Sequence, residues 1–321
     1  MSNNKIKIIS IVGPTASGKT SLSVELALAL NTEVISADSM QIYKYMDIAT
    51  AKPSADERKG VIHHLMDYVE PGESYSVSRY VNDALSSAQA ISNKGKIPIL
   101  VGGTGLYVDS LLDGIKFCEG ETDLKLRVKL KTELEENGLN FMINKLSEFD
   151  PESAQKLSAE RNPKRILRAM EVYYTTGVTL SEQNLKSKEK PSVFDSLKIG
   201  IKFRNRDLLY NRINQRVDIM LEQGLLKEAE AFFSSAYGNT AKQAIGYKEL
   251  KPYFDGIKSL NECIELLKQS TRRYAKRQLT WFNRDKNIHW FYVDDYNDSQ
   301  ALFSDVLSLV KTKGFDLIEN S

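Results

Sequence analysis

Gly13-Pro14-Thr15-Ala16-Ser17-Gly18-Lys19-Thr20 fits the pattern G-x-x-x-x-G-K-[ST] at every fixed position. Its flanks decide what the match means. Residues 6–12, Ile-Lys-Ile-Ile-Ser-Ile-Val, are an apolar, β-rich run, and residues 21–30 are helix formers. A strand, a glycine-bearing turn and a helix in that order make a phosphate cradle. Gly13 and Gly18 let the backbone bend so that successive N–H groups, those of Pro14-Thr15-Ala16-Ser17 between them included where an N–H exists, face one anion. The helix N-terminus adds its partial positive charge. Lys19 reaches the outer phosphates, and the Thr20 hydroxyl is a candidate ligand for Mg²⁺. The loop identifies a polyphosphate rather than a reaction: NTP hydrolysis, kinase chemistry and transfers that expel pyrophosphate all use it.

Working outward, the first third alternates strand and helix. Residues 33–36 read as a short strand ending at Ala37-Asp38-Ser39. Residues 80–93 are a helix with Val81, Ala84, Leu85, Ala88 and Ile91 on a helical period. Residues 96–101 are a third strand, closed by Gly102-Gly103-Thr104-Gly105, and 106–112 begin another helix. This alternation predicts an α/β fold: a P-loop NTPase-like parallel sheet with helices on both faces. Residues 48–72 are less periodic and read as loop.

Character changes near Glu121, and no strand is evident up to about residue 185. Helices are predicted over 124–136 and 141–149. Asp150-Pro151 opens a third, with Asp150 as N-cap, and Asn162-Pro163 opens a fourth that stops at Gly177. Residues 186–192 look like a solvated linker. Residues 121–195 are therefore expected to be an all-helical insertion into a catalytic core made of 1–120 and 196–321. In the second half of that core, strands are predicted at 197–203 and 287–293. Helices are predicted at 208–223, 225–233, 250–254, 260–282 and 299–311.

Composition narrows the class. The 321 residues suit two domains, and the apolar share, 41%, is that of a soluble globular protein. No stretch approaches the roughly 20 apolar residues of a membrane span. Residues 1–7 are polar and run straight into the first strand, which predicts a cytoplasmic protein without a secretory signal. Cys118 and Cys263 lack metal-ligand spacing and read as reduced thiols. The His63-His64 pair reads as structural or substrate-lining. Net charge is only +2. Positive charge instead gathers at 161–168, 204–216 and 272–284.

Asp38 follows a strand expected to lie near the phosphate loop, so its carboxylate projects into the crevice at the strand ends. It could accept a hydrogen bond from an attacking N–H or O–H and remove its proton. It could equally hold a Mg²⁺ water, or Asp38 or Ser39 could cap a helix at 40–43. Thr104 could face the same crevice, while a plain turn accounts for the glycines around it. Arg212 and Arg216, four residues apart, share one helix face. That face suits a pyrophosphate, or is simply a solvated basic face. In 272–282, Arg272 with Lys276 and Arg273 with Arg277 form basic stripes interleaved with aromatic residues. A nucleic-acid backbone fits such a helix, and so does an amphipathic helix with Trp281 and Phe282 in the core. The nearest approach to a Walker B segment, Val34-Ile35-Ser36-Ala37-Asp38, is poor, which disfavours a motor-type NTPase.

Seven segments together resemble one family, the tRNA dimethylallyltransferases, also called tRNA isopentenyltransferases. They are Gly-Pro-Thr-Ala-Ser-Gly-Lys-Thr (13–20), Ser-Ala-Asp-Ser-Met-Gln-Ile-Tyr (36–43), Met-Asp-Ile-Ala-Thr-Ala-Lys-Pro (46–53) and Gly-Gly-Thr-Gly-Leu-Tyr (102–107), followed by Asn-Pro-Lys-Arg-Ile-Leu-Arg-Ala-Met-Glu (162–171), Ala-Ile-Gly-Tyr-Lys-Glu (244–249) and Ala-Lys-Arg-Gln-Leu-Thr-Trp-Phe (275–282). The resemblance implies transfer of a dimethylallyl group from dimethylallyl diphosphate to N6 of the adenosine just 3′ of the anticodon (position 37), with pyrophosphate leaving and Mg²⁺ assisting. Carried over by position, Asp38 resembles the general base, and Lys19, Thr20 and Arg216 resemble diphosphate ligands. Ser39, Met40, Gln41, Thr104 and Arg127 match tRNA-contact positions, as do Asn162, Pro163, Lys164, Arg165 and Ile166. Residues 242–248 match a further contact region less closely, since Gln243 and Ala244 stand where the family often has Arg and Cys. The implied partners are the tRNA anticodon arm, gripped by the insertion and the basic C-terminal helix, and dimethylallyl diphosphate. A monomer is the default expectation for the oligomeric state. The alternatives are a small-molecule P-loop kinase with a helical lid, which would consume ATP, and a non-catalytic RNA-binding module.

Overall fold

In a computed structural model, residues 5–115, 123–188, 192–235, 237–238 and 240–316 are described. The chain divides into two compact units: Met1–Leu112 with Val193–Ser321, and Asp113–Ser192.

The larger unit is built on six parallel strands: β1 (Ile6–Val12), β2 (Val34–Ser36), β3 (His63–His64), β4 (Ile99–Gly102), β5 (Phe194–Lys202) and β6 (His289–Tyr292). Their order is β3-β2-β4-β1-β5-β6. β1 is central, pairing Ile9 with Ile99 on one side and with Leu197 on the other. Side chains alternate along it. Ile8 and Val12 join one core cluster, and Ile9 and Ile11 join another on the opposite face. Burial on both faces explains why this strand reads as a nearly continuous apolar run. β4 lies between β1 and β2, so the turn after β4 sits between the phosphate loop and Asp38.

The helices of the first third are α1 (Lys19–Ala29), α2 (Ala55–Arg58), α3 (Val77–Asn93) and α4 (Gly105–Leu112). α2, closed by a Ser54–Glu57 capping box, and β3 both fall in the stretch read as loop. At four and two residues they are too short for a period to show. The helix considered at 40–43 does not form. These residues are turns, and Tyr43 makes an isolated parallel bridge to Val69.

The smaller unit holds α5 (Leu124–Ser147), α6 (Pro151–Glu160), α7 (Pro163–Thr176) and α8 (Leu180–Lys188) around its own core of Leu130, Met142, Leu146, Leu157, Ile166 and Met170. α5 is interrupted at Gly138, which takes φ 79° and accounts for the break expected between 136 and 141. Asp150 caps α6 through the Ser153 amide and also accepts the Ser181 amide. The linker expected from residue 186 begins later, because α8 continues to Lys188. Residues 189–191 lie outside the described residues.

The second half of the larger unit supplies α9 (Arg206–Glu222), α10 (Leu225–Phe233), α11 (Tyr247–Phe254), α12 (Leu260–Phe282) and α13 (Ser299–Thr312). α13 packs with α1 on one sheet face, through Leu302, Val306 and Val310. α3, α10, α11 and part of α12 pack on the other. Cys263 is a fully buried free thiol, and Cys118 lies outside the described residues. No helix among the described residues is long and apolar enough to cross a membrane.

Candidate active site

Three chain segments leave the carboxyl ends of neighbouring strands: the phosphate loop after β1, Ala37-Asp38 after β2 and Gly103-Thr104 after β4. Ligands of open α/β sheets bind in such a crevice. Close approach of the segments sets the sequence. Gly13 has φ 148°, and a Cβ there would lie 2.2 Å from the Ile201 carbonyl oxygen. A Cβ on Gly102 would lie 2.2 Å from the Ala37 carbonyl oxygen. The glycines after β4, for which a plain turn looked sufficient, are therefore required by packing.

The phosphate loop is tied from two sides. Gln278, 4% exposed on α12, accepts the Thr15 amide at 2.8 Å and donates to the Gly103 carbonyl at 3.1 Å. From α9, Arg212 donates to the Ala16 carbonyl at 3.0 Å. Arg216 reaches Thr15 Oγ1 at 3.4 Å and the Ala51 carbonyl at 3.3 Å. The pair expected either to grip an anion or to face solvent thus lies along the loop. Arg212 is exposed, and Arg216 is half-buried. Burial pulls the Arg216 pKa down, while Glu57 and Asp38 oppose that pull.

Lys19 folds back onto the Pro14 carbonyl at 2.6 Å. Burial, and then the positive charge of Arg216, push its ammonium down to about 7, against the pull of Asp38. Ser17 Oγ is buried without a hydrogen-bond partner. A half-buried cation and an orphaned hydroxyl beside one loop mark a place for an anion.

Asp38 is half-buried. Its Oδ1 accepts the amides of Met40 at 2.9 Å and Gln41 at 3.3 Å, so the capping geometry considered for it exists without a helix. Thr104 Oγ1 accepts the Ser39 amide at 3.0 Å. Gln41 Nε2 donates to the carbonyls of Thr50 and Ala51, both at 3.1 Å. Ser39, Met40, Gln41 and Thr104 are therefore gathered around Asp38.

Gln278 lies inside the matching segment 275–282, although no role was read for it there, and further contributors lie outside every matching segment. Tyr274, one turn earlier on α12, faces Thr104 and Gln278, and burial followed by the charge of Asp38 pushes its phenol up. Glu228 accepts three backbone amides, from Asp47 at 2.9 Å, Ile48 at 2.7 Å and Ala49 at 2.9 Å. The helical period of α12 sets Gln278 and Tyr274 on its inner face: they lie three and seven residues from Trp281, away from the exposed Arg273, Lys276 and Arg277. Trp281 itself is half-buried and donates to Asp109 at 2.7 Å, and Phe282 is in the core. The helix thus has both the basic surface and the apolar inner face considered for it.

In the smaller unit, Arg127 makes a two-pronged ion pair with Glu171, at 2.8 and 3.0 Å. Asn162 is the N-cap of α7, accepting the Lys164 amide at 3.1 Å, and Pro163 is its first residue. Arg165 pairs with Glu160, and Lys164 is exposed. Ile166, expected at a contact surface, is fully buried in the unit's core, where the helical period of α7 carries it. His64 bonds the buried Glu33 at 2.8 Å, a contact that ties β3 to the residue before β2. Among the described residues there is no cluster of three or more His, Cys, Asp or Glu fit for a metal.

Comparison with known proteins is consistent across the chain. The IPP transferase family model matches residues 41–285, and the isopentenyl transferase model matches residues 6–70. A tRNA dimethylallyltransferase of Acetivibrio thermocellus is 45% identical over 312 residues, covering 97% of this chain and 99% of that one. The Bacillus subtilis protein of that name is 45% identical over 292 residues, covering 91% and 92%. Among solved structures, the full-length tRNA isopentenylpyrophosphate transferase of Bacillus halodurans superposes with a TM-score of 0.72 at 41% identity, over 96% of this chain and 97% of that one. A eukaryotic dimethylallyltransferase captured acting on tRNA gives 0.80 at 31% identity, over 98% and 81%.

Proposed function

This chain belongs to the IPP transferase family and is a prenyl transferase, and we propose that it moves a dimethylallyl group from dimethylallyl diphosphate onto N6 of the adenosine 3′-adjacent to the anticodon of tRNA. The observation that carries the assignment of roles is the meeting of three groups in one crevice. They are the phosphate loop, Arg216 bonded to that loop at Thr15, and Asp38 at the end of β2.

The exocyclic amine of adenine is a poor nucleophile, while an allylic diphosphate ionises readily. Catalysis then rests on holding the leaving diphosphate and orienting N6. Loop amides, Lys19, Thr20 and Arg216 hold the diphosphate. N6 attacks C1 of the dimethylallyl group as the C1–O bond breaks, and the electron pair of that bond leaves with the diphosphate. Asp38 Oδ1 is held by its own turn, which keeps Oδ2 available to take the N6 proton. The reacting base must leave its stack to enter the crevice.

The Thr20 hydroxyl makes no hydrogen bond among the described residues and is the kind of hard oxygen donor that Mg²⁺ prefers. Thr20 would hold the ion, which supplies charge neutralisation to the departing diphosphate. Exposed cations suited to RNA phosphates are present on α12, at Arg273, Lys276 and Arg277, and on α7, at Lys164.

The test incubates the protein with unmodified tRNA, Mg²⁺ and labelled dimethylallyl diphosphate, with ATP in a parallel reaction, and reads digested nucleosides by mass spectrometry. N6-dimethylallyladenosine that disappears in Asp38→Ala is the expected result. Phosphate transfer from ATP without any prenylated nucleoside would overturn the proposal.

A further inference from the structure

Residues 46–51 form no regular element, yet they touch two parts of the crevice. The carbonyls of Thr50 and Ala51 accept from Gln41, whose amide bonds Asp38, and the Ala51 carbonyl also accepts from Arg216. A segment that aligns the base and a diphosphate ligand must itself be held. Lys52, its side chain only 4% exposed, ties one end by donating to the Tyr43 carbonyl at 2.6 Å and to Asp47 at 2.6 Å, and by pairing with Asp67.

The middle is held from behind, by α10. Glu228 Oε2 accepts the amides of Asp47 and Ile48, and Oε1 accepts the amide of Ala49. The fourth donor to this carboxylate is the Tyr247 hydroxyl, at 2.8 Å on Oε1. Next to Tyr247, Gly246 takes φ 113°, and a Cβ on it would lie 2.7 Å from Ala49 Cβ. Residues 46–51 thus rest in a cradle made by Glu228, Gly246 and Tyr247. A carboxylate has room for four donors, and all four places here are filled.

We infer that Glu228, buttressed by Tyr247, is a positioning residue that fixes residues 46–51 and through them Gln41 and Arg216. The inference rests on the proposed reading of the crevice. It also assigns a task to Gly246 and Tyr247, within the stretch whose match to a tRNA-contact region is weak: they support the loop from inside the protein. Tyr247 is fully buried.

Glu228→Gln is the sharpest probe. It keeps the shape but turns one acceptor into a donor facing the N–H groups of the loop. Binding of inorganic pyrophosphate with Mg²⁺ is measured by calorimetry on the full chain, well below the melting temperature. Ile91→Ala serves as a control that loses core packing just before β4, at the opposite end of the sheet from the crevice. Glu228→Gln is expected to weaken pyrophosphate about three- to tenfold, and Tyr247→Phe about twofold, because each removes acceptors or donors that locate Arg216. Ile91→Ala, although destabilised, is expected to bind pyrophosphate as the parent does. If Glu228→Gln does not fold, Tyr247→Phe carries the test. Unchanged affinity in the folded variants, or an equal loss in Ile91→Ala, would overturn the inference. No RNA is present, so the result is independent of whether the chain prenylates tRNA.

Discussion

Gln278 and Thr15 stand 263 residues apart in sequence, and the side-chain oxygen of one accepts the amide of the other at 2.8 Å. The same side chain donates to Gly103, so one buried amide fixes the phosphate loop to the turn after β4. Both ends of this link are backbone groups. The link means that the loop is shaped by the far end of the chain.

Replacing Gln278 with Leu fills the space but leaves the Thr15 N–H and the Gly103 carbonyl without partners, at about 1–3 kcal/mol in stability. The KM for dimethylallyl diphosphate should rise about tenfold as the loop loosens. Gly103→Ala should resemble it, because the added methyl would lie 1.9 Å from Gln278 Nε2. The double variant should be little worse than either single one, as expected for two ways of breaking one contact. Urea unfolding and steady-state kinetics of the three variants check this, and additive losses would count against the link.

Thr104→Val tests the turn beside Asp38. It removes the acceptor for the Ser39 amide and for nothing else in the backbone. The Asp38 turn then has one anchor fewer. We expect kcat to fall about tenfold with the KM for dimethylallyl diphosphate unchanged within a factor of two, since Thr104 does not touch the phosphate loop. A variant that loses donor affinity instead would place Thr104 on the wrong side of the reaction.

The phosphate loop, the alternation of strands and the helical insertion were legible because each has a local signature: a fixed glycine spacing, a period, or a cap followed by proline. Asp38 was legible as a position, although its position alone left three roles open. The roles of Gln278, Tyr274 and Glu228 were not legible, although Gln278 lies inside a matching segment. Gln278 and Glu228 meet backbone groups far off in sequence, Tyr274 meets Thr104, and a glutamine, tyrosine or glutamate on a helix carries no local mark of what it meets. Ile166 went the other way. It lies inside a matching segment, but the 3.6-residue period of α7 turns it into the core while Lys164 stays outside.

In the smaller unit, burial pushes the Glu171 carboxyl up, but the bonds from Arg127 and Arg168 outweigh it and hold the pKa below its ordinary 4.5. A carboxylate lowered in this way contributes stability that is fully present above its unfolded value and lost as pH falls through the folded one. Glu171→Gln should therefore loosen α5 against α7 by about 1–3 kcal/mol at pH 7 and by less below pH 4. Hydrogen exchange of amides in those two helices, in the full chain, reads the local effect. An equal difference at both pH values would show that the charge is not what binds Arg127.

Lys19 gives a prediction of the same sign from the opposite cause, a charge disfavoured rather than held. Its ammonium sits at about 7 in the free protein, against 10.5 for an ordinary lysine. Between those values the unfolded chain holds a proton that the folded chain lacks, so the contribution of this group to stability rises with pH across that window. A bound diphosphate places negative charge beside the amine and restores the proton. Pyrophosphate binding at pH 8 should then take up a proton that binding at pH 6 does not, because at pH 6 the lysine is already charged. Calorimetry in buffers of different ionisation enthalpy measures the uptake. Lys19→Arg, charged at both pH values, is the reference that subtracts the titration of pyrophosphate itself. An uptake at pH 8 no larger than in Lys19→Arg would mean that the lysine already carries its proton in the empty crevice.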